Sequence, residues 1–219
     1  KNLQYFNLDK KTLDDLFFYQ FLSIIIGGRI GYIVFYNFNF YISNPIEIFR
    51  VWQGGMSFHG ALLGVILTTI IFSKIKSLSL LLLSDLLSIC APIGIFLGRI
   101  SNFMNQELVG RQTNFFLSIR YPNEEIYRHI SQIYEALFEG LIPAIVLMVL
   151  FYTKKLRHGV ITSIFLINYA LSRFIIEFIR EPDSQIGLKH ELFSQGQLLS
   201  VPILFLGLIF LYICQFKRK

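Results

Sequence analysis

The chain has 219 residues, of which 54% are hydrophobic and 16% charged, with 23 phenylalanines and a formal net charge of +6. Soluble domains carry about 25% charged residues, so this composition excludes an ordinary soluble domain and points to a polytopic membrane protein. The basic residues are spread over short loops, not gathered in one patch, which argues against a nucleic-acid partner.

Six apolar segments approach the ~20 residues needed to cross a hydrocarbon core. They lie near 16–36, 56–73, 79–98, 137–153, 159–179 and 198–215. The first carries Arg29, Tyr32 and Tyr36 at i, i+3, i+7, which puts a cation and two phenols on one helical face. Before the second comes WQGGMSFHGALLG (52–64), where Gly54 and Gly55 permit a tight turn and His59 falls in the first helical turns. A lone histidine is more often a packing residue; near a membrane interface a neutral imidazole can also act as a general base.

The third span runs into GRISNFMNQELVGR (98–111), where Arg99, Asn102 and Gln106 share a face if the helix continues that far. The stretch 99–136 is too long and too polar for a simple turn. The fourth span contains Pro143, and the fifth holds Arg173, Glu177 and Arg180 at i, i+4, i+7, a carboxylate between two guanidiniums. The expected fold is therefore all-α and polytopic: six transmembrane helices in a single membrane domain, 1–219. A polar extracytoplasmic segment, 99–136, lies between the third and fourth.

Lysines set the orientation. With six spans, both termini and the loops 74–78 and 154–158 lie on one side. That side holds 11 of the 20 basic residues, including Lys10, Lys74, Lys76, Lys154 and Arg157. By the positive-inside rule it is cytoplasmic.

Arg29, Arg99 and Arg173 each lie in or beside a span, where an arginine at mid-helix costs about 2.5–3.5 kcal/mol on insertion scales. Snorkelling to head groups would relieve one alone. Three polar stripes, all toward the non-cytoplasmic ends, instead suggest one shared interior site. Guanidinium suits bidentate binding of phosphate, and the abundant phosphate in a membrane is a phospholipid head group. An enzyme acting on that lipid and a transporter of phospholipids or anionic solutes both fit the arginines. The transporter would predict pseudo-symmetric halves, and no internal repeat is visible. A purely structural subunit would leave the stripes unexplained.

Five segments carry a resemblance: GGRIGYIVFYN (27–37), WQGGMSFHGALLG (52–64), GRISNFMNQELVGRQT (98–113), RHISQIYEALFEG (128–140) and YALSRFIIEFIREPD (169–183). In order and content they resemble prolipoprotein diacylglyceryl transferase, over essentially the whole chain. The resemblance implies a seven-span enzyme of the bacterial inner membrane, with its active site toward the periplasmic face. Its reaction moves the diacylglyceryl group of phosphatidylglycerol onto the lipobox cysteine of a prolipoprotein, forming a thioether and releasing glycerol phosphate.

Residue by residue, the resemblance implies a catalytic set of His59, Arg99, Glu107, Arg173 and Glu177. Arg99, Asn102 and Gly110 would contact the substrate, together with the interior stripe residues Arg29, Tyr32, Tyr36 and Arg180. Whether His59 or an arginine-centred arrangement removes the thiol proton stays open. Partners would be phosphatidylglycerol, a lipobox segment and membrane lipid, with no metal and no cofactor. The attacking sulfur belongs to the substrate, so Cys90 and Cys214, both expected to be buried in apolar stretches, need no role.

Three departures stand out. The family has a further span before the first, bearing a Tyr-Gly pair, and residues 1–15 (KNLQYFNLDKKTLDD) do not resemble it. The chain starts at Lys1 with no leader pattern, so an N-terminally truncated chain is expected. Ile130 stands where the family's RHPSQ motif has proline, beside a possible secondary site residue, His129. The loop 113–127 is short for the family.

Overall fold

The structure, a computed structural model, describes residues 8–122, 124–154, 156–181 and 194–215. The chain forms two compact units, Lys1–Leu83 and Ser84–Lys219.

In the first unit, α1 (Lys10–Tyr36) and α3 (Phe58–Ile75) run antiparallel. Asp9 caps α1, accepting from the Thr12 N–H at 3.3 Å, and Ser57 caps α3. The helices touch along glycines spaced four apart, Gly27 and Gly31 against Gly60 and Gly64. A Cβ on Gly31 would lie 2.7 Å from the Gly60 Cα, so only bare backbone permits this approach. One buried hydrogen bond crosses the seam, from Gln20 Nε2 to Thr69 Oγ1 at 2.9 Å. At the basic end Lys76 pairs with Asp15 at 3.1 Å. The link between the helices holds the short α2 (Phe38–Ser43) and two 3-10 turns, Pro45–Phe49 and Val51–Gln53.

The second unit is built on α4 (Leu80–Met104), α5 (Ser131–Thr153), α6 (Val160–Ile176) and α7 (Gln195–Gln215). Asp85 on α4 caps α6 from a distance, accepting from Gly159 N at 2.7 Å, Thr162 N at 2.8 Å and Thr162 Oγ1 at 2.7 Å. Ser194 and Gln197 form a reciprocal capping box at the start of α7. Inside α5, residues Ala136–Leu141 form a π turn that ends just before Pro143. Pro143 has no N–H to return to the carbonyl four residues back, and the wider turn absorbs the break. Gly140 in that turn lets α5 close on α4, since a Cβ there would lie 2.7 Å from the Phe96 Cα.

The polar stretch is a folded cap, not a slack loop. Strands β1 (Ser118–Ile119) and β2 (Arg128–His129) pair antiparallel. Backbone bonds tie residues 109–113 to the other side of β2 and to the turn after α6: His129 N to Arg111 O at 3.0 Å, Arg111 N to Ile179 O at 2.8 Å, and Glu181 N to Val109 O at 3.1 Å. Arg128 pairs with Glu124 at 2.5 Å and with Glu181, which pushes its guanidinium pKa further up, the Glu124 bond first. Burial raises the Tyr121 phenol, which exchanges hydrogen bonds with Gln132.

The expected boundaries shift. Among the described residues, five helices are long and apolar enough to cross a membrane, and the remaining expected segment, α6, is a shorter apolar helix of 17 residues. Helix α1 starts six residues before the apolar run, α4 continues through Arg99 to Met104, and α5 begins at Ser131 instead of 137. Apolarity marks where a helix meets lipid; helical bonding continues past that boundary. The continuation stops short of Gln106, which is left-handed at φ 59°, so Gln106 does not share the face of Arg99 and Asn102. Cys90 is exposed on α4, against the expectation, while Cys214 is buried; both are free thiols. An apolar run does not say which of its residues face lipid.

Candidate active site

The second unit gathers six charged side chains. From α4, Arg99 places Nε 3.1 Å from Glu135 Oε2 and Nη2 3.2 Å from Glu139 Oε2. From α6, Arg173 places Nη1 2.5 Å from Glu135 Oε1 and Nη2 2.8 Å from Glu177 Oε2. Arg180, just past α6, lies 3.5 Å from Glu135 and 3.9 Å from Glu177. Glu135 therefore touches all three arginines, and both Glu135 and Glu139 are fully buried. Three guanidiniums and three carboxylates sum to zero formal charge, which is what makes so much buried charge tolerable.

Local geometry explains the assembly. The i, i+4 spacing of Arg173 and Glu177 brings them together on α6 as expected, with Arg180 on the same side. Glu135 and Glu139 are offered by the first turns of α5, where the π turn begins. Gly196 lets the first turn of α7 reach Glu177, since a Cβ there would sit 2.8 Å from the carboxylate. The positive end of that helix then faces a negative group.

Several predicted residues lie in the same unit but outside the cluster. Asn102 donates to Glu107 at 3.1 Å, and the Glu107 carbonyl accepts from Gln132 Nε2 at 2.6 Å. Gly110 packs on His129, where a Cβ would approach the His129 Cβ to 2.7 Å, and its carbonyl accepts from Arg128 at 3.2 Å. The His129 ring lies 6.0 Å from Phe115 and 6.2 Å from Tyr134, with Nδ1 buried and unbonded among the described residues.

Arg29, Tyr32, Tyr36 and His59 belong to the first unit. Arg29 directs its guanidinium at five carbonyls: Ile48 at 2.9 Å, Gly54 at 2.6 Å, Gly55 at 3.2 Å, Glu47 at 2.5 Å and Arg50 at 3.2 Å. Its cation also lies over the Tyr41 ring at 5.0 Å. Tyr32 stacks on Tyr36 at 5.5 Å and 12°. Gly54 and Gly55, at φ 88° and 78°, form the tight turn expected of them. His59 is exposed in the first turn of α3, edge-on to Phe58 at 5.7 Å.

Sequence reasoning missed Glu135 and Glu139. The signal was present as two carboxylates four residues apart at the head of an apolar run (YEALFEGLIPAIVLMVL) in a chain already rich in intramembrane arginines.

The sequence profile of the family "prolipoprotein diacylglyceryl transferase" matches residues 1–213. The chain belongs to that family. It is 45% identical over 215 residues to the phosphatidylglycerol–prolipoprotein diacylglyceryl transferase of Rickettsia felis, covering 97% of this chain and 82% of the relative. Against the protein of that name from Ehrlichia ruminantium (strain Welgevonden), identity is 49% over 202 residues, 90% of this chain and 78% of the relative. The Rickettsia typhi protein of that name is 44% identical over 215 residues. The matched range takes in every residue of the arginine–glutamate cluster, so family membership and the buried charges concern the same part of the chain.

Proposed function

We propose that this multi-pass membrane enzyme transfers the diacylglyceryl group of phosphatidylglycerol to the lipobox cysteine thiol of a prolipoprotein. Family membership carries the reading, and the arginine–glutamate cluster supplies chemistry that fits it. The substrate thiolate forms a C–S bond at the glycerol carbon bearing the phosphate as that C–O bond breaks. The electron pair leaves with the phosphate oxygen, and glycerol phosphate is released.

Guanidiniums beside that oxygen lower the barrier by meeting charge as it develops, in a site where water does not compete. Arg99 is the best placed to begin: its side chain is 18% exposed, against 13% for Arg173 and 7% for Arg180. Its Nη1 has no acceptor among the described residues. Glu135 and Glu139 hold Arg99 and Arg173 in place until phosphate arrives, and Glu177 orients Arg173. Asn102 and Glu107, bonded to each other, are assigned to the head group's polar end. Gly110 admits close backbone packing beside them.

The proposal keeps residues 1–219 as one inner-membrane domain of six spans, with α6 as one of them. The lysine-rich loops are cytoplasmic, and the 99–136 cap and the site face the periplasm. Labelling of single introduced cysteines tests this: positions near Lys76 should react from the cytoplasm and positions near Tyr127 from outside.

The thiol proton goes to His59 or to a cluster carboxylate. A general base contributes about 10²–10⁴-fold, so His59→Gln should lower transfer by that order and shift its pH dependence. A superimposable pH profile retires the histidine in favour of a carboxylate. The reaction itself is tested by incubating the membrane-reconstituted chain with phosphatidylglycerol and a lipobox peptide. A diacylglyceryl mass gain on the peptide cysteine is expected; a peptide that stays unmodified removes the assignment for this chain.

A further inference from the structure

The link between α1 and α3 has a face that the transfer reaction does not use. Its two 3-10 turns continue one another through i→i+3 bonds: Glu47 N to Asn44 O at 3.0 Å, Arg50 N to Glu47 O at 3.2 Å, and Gln53 N to Arg50 O at 3.3 Å. Ile46 and Phe49 eclipse within the first turn, Arg50 (φ −83°, ψ 63°) separates it from the second, and Ile46, Phe49 and Trp52 are 69%, 75% and 76% exposed. The stripe extends onto α2 through Ile42, which is also exposed. On the inner side, three carbonyls of the same segment (Glu47, Ile48 and Arg50) turn to Arg29, joined by those of Gly54 and Gly55 just after it. The segment is thus amphipathic in an unusual sense: apolar side chains outward, backbone oxygens inward on a cation.

Its level relative to the bilayer follows from the helices at its two ends. Ser57 N donates to Gly28 O at 2.9 Å, so α3 begins beside Gly28, two turns below the end of α1. The 18 residues of α3 rise about 27 Å, close to the ~30 Å of a hydrocarbon core. The 3-10 segment is bonded to Arg29, next to the Gly28 that receives Ser57 N, and leads within four residues into α3, which sets it at the level of the start of α3 and hence at the edge of the core. A row of large apolar side chains there would be costly in water and is at home among lipid. Glu47 and Arg50 close on each other at 2.6 Å, so the segment presents no net charge.

We propose that residues 45–53 form an interfacial anchor, with the Ile46–Phe49–Trp52 stripe seated in the phospholipid bilayer at the boundary of acyl chains and head groups. Arg29 supplies the hydrogen bonds that backbone at this depth needs, in place of a regular helix. The bilayer holds the outer side of the segment as Arg29 holds the inner side. Anchoring of this kind is driven by apolar area, with a burial depth of about 5–10 Å. It does not depend on lipid charge.

Trp52 is the only tryptophan in the chain, so intrinsic fluorescence reports on the stripe alone. The full chain is reconstituted in phosphatidylcholine vesicles, and then in vesicles containing phosphatidylglycerol. Emission should be blue-shifted, strongly quenched by lipids brominated near the head of the acyl chain, less by lipids brominated near the chain end, and barely by iodide. The pattern should be the same in both vesicles. Iodide quenching as strong as for free tryptophan, with brominated lipids silent, overturns the anchor. So does quenching that appears only with anionic lipid, or an added lipobox peptide that protects Trp52 from brominated chains, which would make the stripe a peptide seat. Substituting Ile46→Asn with Phe49→Asn should shift Trp52 emission to the red and open it to iodide; unchanged emission also overturns the proposal. The parent measurement needs no variant to fold, and none of these readouts depends on diacylglyceryl transfer.

Discussion

Arg29, buried, and Arg173, largely buried, both lie on apolar helices, yet their partners differ in kind. Arg29 faces five backbone carbonyls and no carboxylate among the described residues. Arg173 faces Glu135, Glu139 and Glu177. Carbonyls cannot take up a proton or swing away without unfolding the loop that bears them, so the Arg29 arrangement is a clamp. Carboxylates on side chains can rotate or accept a proton, so an incoming phosphate can replace them at a guanidinium. On the proposed reading, the difference sets an arginine held by backbone apart from arginines whose carboxylate partners an anion could replace.

The largest effect should come from Glu135→Gln, because that carboxylate touches three guanidiniums at zero exposure. Removing one partner of a buried pair costs about 3–5 kcal/mol. Membrane accumulation should drop and transfer should vanish. A variant that accumulates and transfers normally would mean that the cluster is not a balanced network. Arg99→Lys comes next, keeping the charge and losing the planar fork. Transfer should fall by about 10²–10³, as when one preorganised donor is removed, with accumulation little changed. Near-normal turnover would show that a point charge suffices at this position.

Arg29→Lys should be milder for chemistry and sharper for local order. Lysine offers three donors where arginine offers five, so at least two of the five carbonyls lose their partner, at about 1–3 kcal/mol each. Hydrogen exchange should rise across residues 44–56 while the glutamate cluster stays protected. Loss of transfer as complete as in Glu135→Gln would collapse the distinction between clamp and exchange site.

How much of this could be read beforehand follows the range of each interaction. The Arg173–Glu177–Arg180 face was legible because helical periodicity is local, and so was the shared face of Tyr32 and Tyr36, though not that their rings stack. The link from Arg99 to Glu135 and Glu139 spans about forty residues and rests on how α4 packs on α5, which no spacing encodes. The role of Arg29 was hidden for a different reason: its partners are backbone oxygens, which every residue carries. Helix ends were misjudged wherever polar residues stayed helical beyond the lipid, as with Lys10–Asp15 and Ser131–Glu135.

The smallest effect provides a control outside both arginine systems. Ile130, at the start of α5, stands where the family motif has proline, and its backbone sits at φ −83°, ψ 58°. That φ is near the proline value of about −65 ± 15°. His129 N is turned to Arg111 O, so in the alternating antiparallel register the Ile130 N–H falls on the β1 side, and proline would give up one donor at the edge of the Ser118–His129 pairing. The preceding residue, His129, lies in β2, the extended conformation that a following proline favours. Ile130→Pro should therefore be close to neutral, the ~0.4–1 kcal/mol from lost freedom of the unfolded chain offsetting the ~0.5–1.5 kcal/mol of one hydrogen bond. The readout is thermal unfolding in detergent beside transfer activity. An unchanged or slightly higher midpoint with normal transfer would show that this turn tolerates backbone stiffening, which ties the losses at Glu135 and Arg99 to charge and not to general fragility of the cap. A fall in midpoint of several degrees would mean that the segment before α5 must flex, and that the proline-to-isoleucine difference is a functional feature of this chain.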